Sequence, residues 1–202
     1  MTRKAASARN ARADGEASSR LSEMAWVKAA FFHIANNNVD DIRIEELARE
    51  IGVTKGSFYW HFRNRQDLLE RLLAYWMERA TVQIAKWNRA TEASGVERLT
   101  ALLSLPANTP PDKKGADIEL AVRAWARQAP FAAEIVEKVD RIRADFFLEL
   151  IGEMGFEGAD ARWRAHVAQA FMLGDAFLRS GMSRDERLEA VRICARLITS
   201  RR

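Results

Sequence analysis

Ile44 to Arg65 reads IEELAREIGVTKGSFYWHFRNR, and this stretch decides the fold. Apolar residues recur at helical steps on either side of one glycine. The pattern predicts two short helices, about Ile44 to Ile51 and Thr54 to Phe62, joined by a tight turn. Leu47 and Ile51 are expected to face inward from the first, and Val53 and Phe58 inward around the turn and from the second. Ala48 is small where the helices cross, and Gly52 supplies the positive φ that the turn needs. Thr54 is placed to cap the second helix with its hydroxyl. Asn64 is placed to cap the next, with Asp67 at a position that suits both cap and dipole. This is the spacing of a helix-turn-helix.

The second helix presents Thr54, Lys55, Gly56, Ser57, Tyr59, Trp60 and His61 on its outer and N-terminal surfaces. From Val53 to Gln66 the chain carries Lys55, Arg63 and Arg65 and no acid. A short acid-free helix suits a negatively charged groove. Gly56 lets the backbone approach DNA closely, and Lys55 can reach a phosphate or a guanine edge. Tyr59 and Trp60 can bond phosphate or pack on sugars and thymine methyls. Arg65 adds a cation at a helix N-terminus.

These residues resemble the DNA-binding domain of the TetR family of transcriptional regulators. Leu47-Ala48, Gly52-Val53-Thr54, Gly56, Phe58-Tyr59, His61-Phe62, Asn64-Arg65 and Leu68-Leu69 carry the likeness. The resemblance implies that Lys55, Ser57 and Trp60 face base edges, that Tyr59, His61 and Arg65 hold phosphates, and that Thr54 caps the recognition helix and touches DNA backbone. Arg43 departs from the pattern, standing where the family usually has a capping Ser or Thr. It cannot accept that hydrogen bond, so it is read instead as an extra phosphate contact. Trp60 keeps an alternative as a core residue, and His61 as a ring bonded to backbone.

Working outward, an apolar face on Leu21, Met24, Val27, Phe31, Ile34 and Ala35 predicts a preceding helix ended by Asn36-Asn37-Asn38, Asn being the non-glycine residue that best tolerates a left-handed cap. A long helix is expected from about Arg65 to Ala93, then one from Val96 stopped at Pro106, and a loop over Asn108 to Gly115. Four more helices follow, about Asp117 to Gln128, Pro130 to Met154, Ala159 to Ser180 and Arg184 to Thr199. The class is therefore all-α, with about nine helices. Three segments are expected: a disordered basic tail over 1–19, the helix-turn-helix domain over 20–66, and a helical effector-binding and dimerisation domain over 67–202.

The bulk numbers agree with that class. The chain has 202 residues, of which 48% are hydrophobic and 30% charged, and a net charge of +4. Residues 1–66 hold 11 Lys/Arg against 8 Asp/Glu, and residues 67–202 hold 21 against 20, so the excess sits at the N-terminal end. One cysteine, Cys194, excludes an internal disulfide framework and fits a reducing bacterial cytoplasm. The first residues lack the apolar core of a secretory signal, and no stretch has the length of a membrane span. The three histidines lie far apart without metal-ligand spacing, and no phosphate loop, dinucleotide fingerprint or nucleophile motif occurs. Neither enzyme activity, cofactor nor metal is expected.

In the family fold that the resemblance implies, the last two long helices pair with their mates in a four-helix bundle. Val167, Ala170, Phe171, Gly174, Phe177 and Leu178 form the stripe expected to serve that homodimer. An effector pocket is expected between the long fourth helix and those after it. Ile84, Trp87, Trp125, Phe146 and Phe147 would form its apolar lining, with Arg123 and His166 as polar groups. That aromatic bias points to a hydrophobic or aromatic small molecule. The whole reads as a ligand-responsive repressor of a palindromic operator. Its two recognition helices would lie about 34–36 Å apart in successive major grooves, and a ligand against the Trp87 end of the fourth helix would spoil that spacing. A helical adaptor protein, or an activator without an inducer, is the alternative.

Overall fold

The computed structural model describes residues 23–110, 114–178 and 180–201. The tail expected over 1–19 and Leu21 lie outside the described residues. Among the described residues the secondary structure is helical throughout, and the chain divides into two compact units, the first ending at Trp76 and the second starting at Met77.

In the first unit α1 covers residues 23–33, a 3-10 turn covers Val39–Asp41, and α2 (Ile44–Glu50), α3 (Lys55–Phe58) and α4 (Arg65–Met77) follow. Its core is aromatic. Trp26 and Phe58 are fully buried and meet edge to face at 5.3 Å, and Phe58 stacks on Phe62 at 5.0 Å. Burial of each such ring is worth about 2–3 kcal/mol. Leu47, Ala48, Leu68, Leu69 and Leu72 complete the packing, as the helical period requires. Val53 does not join it: the residue is 37% exposed, because the turn carries its side chain away from the core.

Hydrogen bonds fix the turn. Gly52 N donates to the Arg49 carbonyl at 3.3 Å, and Val53 N to the Ala48 carbonyl at 2.9 Å. This pair of bonds closes a helix only when the residue between them is left-handed, and Gly52 sits at φ 72°. The end of α1 uses other means than the left-handed asparagine expected there, since no residue from Asn36 to Asn38 has positive φ. Instead the Asn37 side-chain amide donates to the His33 carbonyl at 3.0 Å. Asn64 caps α4 as anticipated: its Oδ1 accepts from Asp67 N at 3.0 Å, while Asp67 accepts from Arg63 N at 3.1 Å. The bond from the Arg63 backbone first, and then that from Arg63 Nε at 3.3 Å, hold the Asp67 carboxyl below its ordinary pKa.

The second unit holds a π-helical turn (Glu78–Val82), α5 (Gln83–Arg89), α6 (Gly95–Leu103), α7 (Leu105–Asn108), α8 (Gly115–Ala126), α9 (Pro130–Glu153), α10 (Gly158–Phe177) and α11 (Arg184–Thr199). The single helix expected over 65–93 is thus interrupted by one wider turn. Pro106 does not stop the chain's helical course, because α7 begins there and takes the proline in its first turn, where no backbone donor is needed. Ser94 and Ser183 cap α6 and α11, each in a reciprocal pair with the glutamate three residues on. The core runs from Leu99, Leu102 and Leu103 through Phe147, Leu150 and Ile151 to Val191, Ala195 and Ile198. α10 contributes Ala161, Ala165 and Ala168, small residues that let neighbouring helices approach closely.

Candidate nucleic-acid interface and helical cleft

The outer face of α3 is open. Trp60 is 88% exposed and Tyr59 is mostly exposed, its ring edge-on to Phe58. Trp60 is therefore not a core residue; Trp26 and Phe58 fill that place. A tryptophan left in water forgoes about 2–3 kcal/mol of burial, which marks the surface as one built for contact. Gly56 meets nothing closer than the Thr54 Oγ1, at 3.8 Å, from where its Cβ would stand.

Thr54 is the residue before α3, but its hydroxyl makes no capping bond; Ser57 Oγ donates to the Thr54 carbonyl at 2.8 Å instead. Lys55 Nζ lies 2.5 Å from Glu45 Oε1 on α2, and both side chains are about half exposed. Their hydrogen bond raises the lysine pKa and lowers that of the glutamate. Sequence reasoning missed Glu45, since the two residues are ten apart and meet only across the turn. Arg43 is exposed and donates to the Asp40 carbonyl at 2.6 Å. His61 is half-buried with its ring against Phe62. Arg65 is half-buried, with Nε on the Ile42 carbonyl at 3.3 Å and Nη2 on that of Val39 at 2.5 Å. It ties the 3-10 turn to α4, a structural duty the sequence reading did not foresee. Lys55, Gly56, Tyr59 and Trp60 thus form one exposed surface, with Arg43 on α2's approach and His61 and Arg65 set deeper.

In the second unit a cleft of about 290 Å³ is lined by Ile84, Leu105, Pro106, Met172, Leu173 and Ala176, with Glu119, Arg143 and Arg187 among its polar groups. A smaller cavity of about 30 Å³ shares Ile84, Arg143 and Met172 and adds Phe146 and Phe147. Ile84, Phe146 and Phe147 of the expected lining are therefore brought together. Trp87 is exposed, Trp125 is half-buried against Phe131, and neither lines a cavity described here. His166 is exposed on α10, and Arg123 is half-buried and lines neither cavity, meeting the cleft only through its bond to Glu119.

Two of the polar groups that line the cleft, Glu119 and Arg143, are buried and begin a chain of ion pairs. Arg143 donates to both Glu119 oxygens, at 2.8 and 2.9 Å, and through Nε to the Ala80 carbonyl in the π turn at 3.2 Å. Arg123 donates to Glu119 at 2.9 Å and forks onto Asp140 at 2.6 and 2.9 Å. Burial pushes the Glu119 carboxyl up, but the hydrogen bonds and charges of Arg143 and Arg123 outweigh it and hold the pKa below the ordinary value. The Asp140 fork, against the cost of burial, holds Arg123 firmly charged. Nothing in the periodicity distinguishes Glu119 and Arg143 from charges on a solvated helix face.

On the far helices Val167 is half exposed, Ala170 is exposed and Leu178 is largely exposed, while Phe171, Gly174 and Phe177 are half-buried. Trp163 at 68% and Leu197 at 70% exposure, with Ile193, extend the apolar surface beyond the expected stripe.

A helix-turn-helix with an exposed, aromatic second helix, followed by a separate helical unit, is an arrangement found in DNA-binding transcriptional regulators. Residues 27–72 match the family described as bacterial regulatory proteins, tetR family. Over 48 residues it is 35% identical to the HTH-type transcriptional regulator SrpR of Pseudomonas putida, a match covering 24% of this chain and 22% of that relative. The chain thus matches about a fifth of that relative's length. A transcriptional regulator of Saccharomonospora viridis, solved in complex with choline, shares the fold at a TM-score of 0.72 and 21% identity, over 85% of this chain and 94% of the other. The regulator FadR of Bacillus subtilis, in complex with stearoyl-CoA, does so at 0.65 and 18%, over 88% and 97%. Among the described residues no helix is long and apolar enough to cross a membrane.

Proposed function

We propose that the chain is a ligand-responsive repressor that binds a palindromic operator as a homodimer and leaves it when a small molecule occupies the second unit. The observation that carries the reading is the exposure of Trp60 and Tyr59 beside Lys55 on a helix face without acids. Lys55 and Tyr59 supply phosphate contacts, and Trp60 the apolar contact that favours a thymine methyl. Lys55 exchanges Glu45 for a phosphate, which costs little because the pair stands in solvent. Ser57, Thr54, Arg43, His61 and Arg65 complete the DNA-facing set, with Arg65 acting mainly by holding α4 in place.

The homodimer is supported by the apolar surface of α10 and α11. Trp163, Val167, Ala170 and Gly174 recur at four- and three-residue steps, so they share a face, and Ile193 and Leu197 do the same on α11. A second copy of this surface is the self-complementary partner a two-fold interface demands. The effector reading is supported by the cleft beside Arg143, and the neighbours solved with choline and with stearoyl-CoA hold small molecules on the same fold. Selecting bound duplexes from a random pool tests the function. The expected product is an inverted repeat with half-sites about one helical turn apart. Recovery of no common sequence would overturn it.

A further inference from the structure

The more buried charges that line the cleft, Glu119, Arg143 and Arg187, are already held in ion pairs. Among the described residues the charged groups of the lining are Lys114, Asp117, Glu119, Arg143 and Arg187. Glu119 is shared by Arg143 and Arg123, Arg187 forks onto Asp175 at 2.7 and 3.1 Å, and Lys114 lies 3.9 Å from Asp117. A ligand that carries a net charge into this space would have to break one of these pairs or remain uncompensated, and either is costly away from water.

The hydrogen-bonding capacity left over is one-sided. A guanidinium has five N–H groups. Arg143 uses one on the Ala80 carbonyl and two on Glu119, so two remain. Glu119 already accepts three bonds, which nearly exhausts a carboxylate. Around Arg143 and Glu119 the cleft therefore offers donors and almost no acceptors. The same Arg143 lines both the larger cleft and the smaller, mainly apolar cavity against Phe146 and Phe147.

We propose that the effector is an uncharged, mainly apolar molecule that presents a hydrogen-bond acceptor to Arg143, with its apolar end directed toward Phe146 and Phe147. This rests on the reading of the chain as ligand-responsive and supplies the chemistry of the ligand. A single aromatic ring fits a cavity of about 150 Å³, so a space of about 290 Å³ takes two. Arg143 also holds the π turn through Ala80, so an acceptor that draws on its guanidinium acts directly on the turn that follows α4.

Four two-ring probes test this by titration calorimetry on the full chain: naphthalene, 2-acetylnaphthalene, 2-naphthoate and 2-naphthylmethylammonium. The ketone is expected to bind about tenfold or more tighter than each of the other three, the worth of one hydrogen bond to a charged donor. In the double variant Glu119→Leu/Arg143→Met the advantage of the ketone over naphthalene, both measured on that variant, should vanish. The Met172 methyl resonance, which reports on both cavities in the unaltered chain, should shift with the ketone. Equal or tighter binding of either charged probe would overturn the proposal. So would a preference for the ketone that survives in the double variant, binding without a Met172 shift, or binding of none of the four. Gel shift of the probe-free protein is read separately, so a failure there counts against the DNA-binding reading and leaves the site assignment standing.

Discussion

The two units spend burial in opposite ways. The first hides aromatic rings, Trp26, Phe58 and Phe62, and leaves its charges at the surface in pairs such as Lys55 with Glu45. The second buries charge itself, with Glu119 and Arg143 in its interior and Arg187 on Asp175. A unit whose core is apolar and complete is free to place function outside, on a rigid face. A unit that keeps hydrogen-bonding groups inside spends stability to do so, and the cleft beside those groups gives a reason for the expense.

The largest effect that would test this contrast comes from breaking the buried pair. Arg143→Met leaves Glu119 in the interior with only Arg123, and should cost about 3–5 kcal/mol in chemical denaturation. Glu119→Leu/Arg143→Met should recover most of that, because the pair is replaced by apolar groups. A single variant as stable as the parent would remove the contrast. The acid limb sharpens it. Glu119 has a depressed folded pKa, so its contribution is fully present above about pH 4.3, the ordinary glutamate value, and is lost as the pH falls from there through the lower folded value. The double variant should show a shallower decline over that window than the parent.

The next effect concerns the surface of the second unit. Val167→Glu sets two carboxylates against an apolar interface and should weaken the dimer by about 100-fold or more, read by sedimentation. An unchanged dimer would move the interface elsewhere. Smaller again is the cap of α4: Asn64→Ala should cost the first unit about 1 kcal/mol, measured by thermal unfolding, and leave the second unit's unfolding unchanged.

The same contrast explains what could be read from the amino-acid order. In the first unit the decisive interactions are local. Gly52, Asn64 and Asp67 act within four residues of their partners, so their roles follow from spacing. The face of α3 is legible for the same reason, as a run without acids. Where partners meet across a turn or between helices, spacing is silent. Glu45 beside Lys55 and Arg65 on the Val39 and Ile42 carbonyls are such cases. In the second unit periodicity locates the helices closely, α11 to the residue, yet it does not say which of several faces is buried. Glu119 and Arg123, four apart, look like any exposed helical pair until α9 brings Arg143 against them. Trp87 and Trp125, chosen for their rings, stand away from both cavities because aromatic character alone does not fix which side of a helix meets a hollow.

The central claim is that α3 lies in the major groove with Lys55 on a phosphate and Trp60 on a base. Operator affinity measured against salt concentration tests it most directly, for the parent, Lys55→Ala and Trp60→Ala. The account predicts that Lys55→Ala lowers the slope of log affinity on log salt by about one, and that Trp60→Ala keeps the slope but loses about 1–3 kcal/mol of preference for the operator over random duplex. Parent slopes and preferences in both variants, each still folded, would contradict it.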